Sequence, residues 1–268
     1  MCGIAGIFHF DSERKADKAL LEKITDMLAH RGPDGSGFFC ENNIGLGHRR
    51  LKIIDLSTGD QPMFNDDKSI VIVYNGEIYN YIELREELKK LGYKFFTESD
   101  TEVIIRAYEH WGTDCQNKLN GMWAFALWDE KKKSLFISRD RLGEKPLYYA
   151  VYDNSFIFGS EIKSILSYGI PAVPDLSLTE IYLTLAYVPA PYTFYKNISK
   201  LQAGNYLIVS KNSVQEKKYW DLPVIDEENM ITDKKLVNET FENLLLDSVR
   251  IRMRSDVPYG AFLSGGLD

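Results

Sequence analysis

The chain predicts an α+β fold of stacked antiparallel sheets flanked by helices. Three observations support this: short β-patterned runs come in bursts, segments with helical apolar spacing separate the bursts, and two of the bursts read as hairpins. A parallel doubly wound sheet would instead alternate single strands with helices. At 268 residues the chain is long enough for one large domain, or one domain and part of another.

Residues 2–10 are apolar and glycine-interrupted, the pattern of a buried first strand. Over residues 16–28, Ala16, Leu20, Ile24 and Leu28 recur at helical spacing, and Arg31-Gly32-Pro33-Asp34-Gly35 stops the helix. Strands are expected at 37–40, 44–48 and 70–74, the last a β-branched run closing in an Asn75-Gly76 turn. Residues 79–91 read as a helix ending at Gly92 with lysines in its last turn. Ser99 or Asp100 caps the next helix, because Ser99-Asp100-Thr101-Glu102 resembles a capping box; that helix runs to Trp111 before Gly112.

Hairpins follow, 122–128 with 134–139 and 147–152 with 156–159, the second turning at Asp153-Asn154. Composition changes after Lys218: residues 220–232 read as a linker with Pro223 and several acids. Residues 233–252 then read as a helix with an apolar stripe at Val237, Phe241, Leu244, Leu245 and Val249. The division is thus residues 1–219, a linker over 220–232, and a second unit over 233–268. From Gly260 a strand is expected to enter a Ser-Gly-Gly turn, the opening of a phosphate-cradling loop.

Several function classes are disfavoured. A net charge of −7 and a pI near 5.3 leave no basic footprint for nucleic acid or an anionic membrane. The longest strongly apolar run, residues 122–128, is too short to span a bilayer, and no basic region precedes the apolar N-terminus; a soluble, cytoplasmic protein is expected. Cys2, Cys40 and Cys115 are odd in number, far apart and without CxxC spacing, which argues against a disulfide framework or a zinc site. His9, His30, His48 and His110 show no metal-ligand spacing, so no metal is expected.

Cys2 carries the sharpest signal. Removal of Met1 would place a thiol and a free α-amine on one residue, and an amine of pKa ~8 is a suitable base for a thiol of pKa ~8.5.

Cys2-Gly3-Ile4, His30-Arg31-Gly32-Pro33-Asp34, Arg50-Leu51 with Ile53, Asn75-Gly76-Glu77-Ile78-Tyr79-Asn80 and Ser99-Asp100-Thr101-Glu102 form an ordered set of motifs. Together they resemble the glutaminase domain of glutamine-hydrolysing asparagine synthetases. The resemblance continues through Arg139-Asp140-Arg141-Leu142-Gly143, Lys145-Pro146-Leu147-Tyr148-Tyr149, Gly159-Ser160-Glu161-Ile162-Lys163 and Ser255-Asp256-Val257-Pro258 to Leu263-Ser264-Gly265-Gly266-Leu267-Asp268. It implies a four-layer αββα N-terminal-nucleophile sandwich over residues 1–219, then the beginning of an ATP-dependent synthetase domain.

By this resemblance, Cys2 attacks the side-chain amide of L-glutamine, with Asn75 and Gly76 as the oxyanion hole. Arg50 holds the substrate carboxylate, with Arg49 one residue away, and Asp100 holds the ammonium. Leu51, Lys52, Ile53, Ile54 and Glu77 line the pocket, and Arg31 supports the nucleophile. Leu263, Ser264, Gly265, Gly266 and Asp268 match part of an ATP site. The glutaminase reaction needs no cofactor; ATP, Mg and aspartate belong to the full synthetase, and a homodimer is a candidate assembly. Residues 139–149, dense in charge and aromatics, are expected to be structural. Two alternatives stand beside this reading: a related amidotransferase with another carboxylate acceptor, and a glutamine-binding fragment without turnover if Met1 is retained.

Overall fold

Alternation along single strands builds the layers. In the strand Gly121–Asp129, Trp123, Phe125 and Leu127 pack toward helices while Ala124, Ala126 and Trp128 face a second sheet. The structure, a computed structural model, describes residues 1–211, 213–226, 230–263 and 265–266. Within it, β1 (Gly3–His9), β2 (Gly35–Glu41), β3 (Ile44–Arg50), β8 (Tyr148–Tyr152), β9 (Ser155–Gly159) and β10 (Ser199–Lys200) form one sheet, ordered β10-β8-β9-β1-β3-β2. The other comprises β4 (Met63–Phe64), β5 (Ile70–Ile78), β6 (Gly121–Asp129), β7 (Ser134–Arg139), β11 (Asn205–Ser210) and β12 (Ser213–Lys218), ordered β12-β11-β7-β6-β5-β4. All ladder pairings between these strands are antiparallel.

Ile4, Phe8 and Leu46 from the first sheet meet Val71, Val73, Leu135 and Ile137 from the second in the central core. Helices α1 (Lys18–Asp26) and α5 (Ile162–Leu166) cover the outer face of the first sheet; α2 (Tyr81–Lys90), α3 (Asp100–Trp111) and α4 (Cys115–Lys118) cover the second. The result is the expected αββα sandwich. Close approach of α1 explains Gly47 on β3, where a Cβ would sit 2.1 Å from Thr25 Oγ1. One buried hydrogen bond joins the two sheets: His48 Nε2 on β3 donates to the Tyr74 carbonyl on β5 at 3.0 Å.

Some expectations need correction. Asn75-Gly76 is not a turn, because β5 continues through it, with Asn75 opposite Ala124 and Gly76 opposite Trp123. Glycine is required there by proximity rather than by backbone angle: a Cβ on Gly76 would lie 2.2 Å from the Met122 carbonyl oxygen. Ser99, not Asp100, caps α3, its hydroxyl accepting from Thr101 N at 3.1 Å. Glu102 does not close a reciprocal box; its carboxylate reaches back to the Phe96 and Thr97 amides.

Among the described residues the expected strand at 260–263 is absent: no described strand lies beside it to form a ladder, and Phe262 and Leu263 are fully exposed. The expected C-terminal helix exists as α7 (Lys234–Arg252), but of its residues only Ile251 is buried. Its apolar stripe faces outward. A short helix, α6 (Thr179–Leu185), lies in the preceding surface segment.

Candidate active site

Six separated stretches of chain converge on one pocket. Its lining includes Met1 and Cys2 before β1, Arg50 at the end of β3, Leu51, Ile53, Ile54, Gly59 and Gln61 in the loop to β4, and Tyr74 to Glu77 on β5. Ser99, Asp100 and Thr101 at the start of α3 complete it, with Met122 and Lys145. Of the expected glutamine-binding residues only Lys52 does not line it; the Lys52 amide instead donates to Asp34 Oδ2 at 2.9 Å.

The Cys2 thiol sits on the main chain of Leu51: Sγ donates to the Leu51 carbonyl at 3.6 Å, and the Leu51 amide donates to Sγ at 3.4 Å. Burial pushes the Cys2 pKa up, partly offset by the Leu51 amide and the nearby α-amine. Burial also lowers the pKa of the amine, which here belongs to Met1. Arg31 donates from Nε to the Cys2 carbonyl at 2.9 Å and pairs with Glu161 at 3.0 Å. It contacts the nucleophile's backbone, not its sulfur.

Arg50 faces the pocket, while Arg49 turns to Asp26 on α1. The guanidinium of Arg50 is fixed by Asp60 Oδ1 at 2.5 Å and by the Asp55 and Ile54 carbonyls at 2.5 and 3.3 Å. Asp55 is a hub that sequence reasoning missed. Its carboxylate accepts from Thr58 and from the Glu98 amide at 2.9 Å, tying the Arg50 loop to the segment that carries Asp100. Its φ of 52° is a left-handed conformation that aspartate tolerates better than most residues.

Asp100 is 5 % exposed and accepts from Tyr74 OH at 2.9 Å and the Ile78 amide at 3.0 Å. Burial raises its pKa against those donors. Nearby Glu77 is pushed up to about 7, first by burial and then by the Asp100 charge. Asn75 is almost fully buried, and its Nδ2 has no partner among the described residues. A buried amide donor left open beside a pocket suits an incoming oxygen.

Lys145 also lines the pocket, although residues 139–149 were expected to be structural. Most of that segment is: Asp140 accepts from the Leu142, Glu144 and Lys145 amides, and Arg139 binds three carbonyls. The Lys145 ammonium is the exception. It is buried, its pKa is lowered by burial, and it lies 3.5 Å from Met1 Sδ. Its position inside the Lys145-Pro146-Leu147 motif was the available signal.

Ser264 and Asp268 of the expected ATP segment lie outside the described residues; Leu263, Gly265 and Gly266 are exposed. Among the described residues that segment contains no strand running into a helix. Also among the described residues, no cluster of His, Cys, Asp and Glu could hold a metal, and no helix is long and apolar enough to cross a membrane.

Comparison with known proteins places this geometry in a family. The family described as "Glutamine amidotransferase domain" matches residues 1–220, and "Asparagine synthase" matches residues 240–268. A Methanocaldococcus jannaschii protein provisionally named asparagine synthetase [glutamine-hydrolyzing] 2 is 46 % identical over 100 % of this chain and 55 % of its own length. Asparagine synthetase [glutamine-hydrolyzing] 1 of Bacillus subtilis is 40 % identical, over 100 % of this chain and 42 % of its own. Amidase chry2 of Gibberella zeae is 37 % identical, over 100 % and 41 %. The chain therefore spans about half the length of the curated relatives it matches.

Among solved structures, glutamine phosphoribosylpyrophosphate amidotransferase from B. subtilis superposes with a TM-score of 0.62 at 18 % identity, covering 82 % of this chain and 49 % of that one. This likeness bears on the fold alone. With the family match covering four-fifths of its length, the chain belongs to the glutamine amidotransferase domain family.

Proposed function

We propose that the pocket hydrolyses L-glutamine to glutamate and ammonia through a thioester on Cys2, once Met1 has been removed. The observation that carries this reading is the convergence of Cys2, Arg50, Asn75, Gly76 and Asp100 on one pocket from four separated segments. The freed α-amine of Cys2 takes the thiol proton as Sγ attacks the side-chain amide carbon. Negative charge then develops on the amide oxygen, where Asn75 Nδ2 and the Gly76 amide are the donors. Collapse of the intermediate passes the proton to the leaving nitrogen and releases ammonia. Water then cleaves the γ-glutamyl thioester. Arg50 suits the substrate carboxylate as a fork of donors, and Asp100 suits its ammonium.

In the longer protein the ammonia amidates an ATP-activated carboxylate, with aspartate as the first candidate and asparagine as product. A cytoplasmic setting agrees with three free cysteines. The alternative is another carboxylate acceptor; one relative carries the name amidase rather than asparagine synthetase. Product analysis on the whole enzyme with aspartate and ATP, Mg present, separates the two acceptors.

A second reading has its own observation. With Met1 in place the Cys2 nitrogen is an amide and cannot act as a base, and the Met1 side chain lines the pocket beside Lys145. That species would bind glutamine without turnover. Intact mass decides which species is in hand. In protein shown to lack Met1, Cys2→Ala is expected to abolish glutamate release, and hydroxylamine is expected to trap γ-glutamyl hydroxamate from the wild type only. Normal turnover by Cys2→Ala would overturn the proposal.

A further inference from the structure

Both walls of the pocket are held by a stretch of chain some two hundred residues away in sequence. The Asp256 amide donates to the Ile53 carbonyl at 3.0 Å, and Asp256 Oδ2 accepts from the Asp55 amide at 2.7 Å. One residue thus grips the Ile53 to Asp55 loop by its carbonyl and by its N–H. The carbonyl of that same Asp55 accepts from Arg50 Nη2 at 2.5 Å. Two residues earlier, Arg254 binds the Tyr79 carbonyl and pairs with Glu83 on α2 at 2.5 Å, securing the end of β5 beyond Asn75 and Gly76. Arg252 stacks its guanidinium over the Tyr79 ring, 4.8 Å from the centroid. Ser255 stabilises the bend between these grips by accepting from the Val257 amide.

We propose that Asp256 is a positioning residue for glutamine recognition: by holding the backbone of Asp55, it aims the Arg50 guanidinium at the substrate α-carboxylate. Residue 55 is the lever. Its N–H is fixed by Asp256, while the carbonyl that orients Arg50 belongs to the same residue, whose left-handed backbone has little intrinsic preference to stay in place. Without the Asp256 carboxylate, the Asp55 amide loses its acceptor, the loop gains freedom, and Arg50 is less well aimed. The loop that lines the glutamine pocket is therefore braced by chain beyond α7, outside the residues that match the amidotransferase family.

This inference rests on Arg50 being the carboxylate clamp, and the test separates the two ideas. On whole enzyme lacking Met1, kcat and KM are measured for L-glutamine and for its α-carboxamide analogue, which lacks the carboxylate. Arg50→Ala is expected to remove most of the preference for glutamine. Asp256→Ala is expected to raise KM for glutamine about 5- to 10-fold, with kcat within about twofold and the analogue little affected. Asp256→Asn keeps an oxygen acceptor for the Asp55 amide and should stay within about twofold of wild type. Should Asp256→Ala fail to fold, Asp256→Glu, which displaces the acceptor by one methylene, should show the same selective loss.

Equal losses on both substrates, or none on either, from Asp256→Ala would overturn the positioning role. An unchanged preference in Arg50→Ala would overturn the clamp reading, and the inference with it. A collapsed preference in Arg50→Ala beside an intact one in Asp256→Ala defeats the inference alone.

Discussion

At the scale of single residues, the pocket keeps groups in states they would not adopt in water. Glu77 is the clearest case: burial and the Asp100 charge lift its pKa from about 4.5 to about 7, with Lys145 opposing. An acid whose folded pKa is raised binds its proton more tightly in the native state. Its stabilising contribution is therefore complete below pH ~4.5 and lost as pH rises through ~7. Glu77→Gln cannot ionise, so it should match the wild type near pH 5 and exceed it at pH 8. Because Glu77 is partly solvated, the gain is discounted to about 1–2 kcal/mol. Urea denaturation at the two pH values measures it, and an equal difference at both would exclude the ionisation argument. Such residues are only half legible in sequence. Asn75, Gly76, Arg50 and Asp100 stand in recognisable motifs, whereas Asp55 matters through backbone and carboxylate contacts that no local pattern announces.

Among elements, α3 shows how one helix start can serve structure and site together. Ser99 caps the helix, and Asp100, the first helical residue, is thereby turned inward to meet Tyr74 OH and the Ile78 amide. Capping and ligand placement were competing roles for Asp100 in the sequence; the fold divides them between neighbours. Ser99→Ala should lower stability by about 1 kcal/mol, the usual value of a lost N-cap. It should also raise KM for glutamine, because fraying the first turn loosens Asp100. Thermal melting and steady-state kinetics on Ser99→Ala and Ser99→Thr check this: the threonine variant, which keeps the hydroxyl, should recover both. Loss of stability without a change in KM would uncouple the cap from the site. Hairpins and long helices were legible because their periodicity is strong, as with β6 and β7 or α1. The edge strand β12 was not, since it is largely exposed and charged without an apolar alternation to read; its neighbour β11 does alternate, burying Leu207 and Val209, a pattern that sequence reasoning passed over.

Across the whole molecule, the αββα order was legible because strand bursts and helical segments alternate along the chain. What holds the two sheets in register beside the pocket was not. That role falls partly to His48, fully buried between the sheets, whose Nε2 donates to the carbonyl of Tyr74 next to Asn75. Donation to a carbonyl assigns the neutral ring its Nε2–H tautomer. Burial holds its pKa down at about 3, far below the 6.5 of an exposed imidazole. For a base with a lowered folded pKa, the unfolded chain binds the extra proton between those values, so stability falls as pH drops below ~6.5. At ~1.4 kcal/mol per pH unit, the cost of going from pH 7 to pH 5 is about 2 kcal/mol from this residue alone. Glu77 works in the opposite direction over the same range, so the wild-type curve mixes both. His48→Gln isolates the term, since an amide N–H can still reach the Tyr74 carbonyl but does not titrate. The variant is expected to be less stable at pH 7 through imperfect packing, and to lose about 2 kcal/mol less than the wild type between pH 7 and pH 5. Parallel stability curves for the two proteins would mean that the imidazole is solvated in solution, and that another contact joins the sheets beside the pocket.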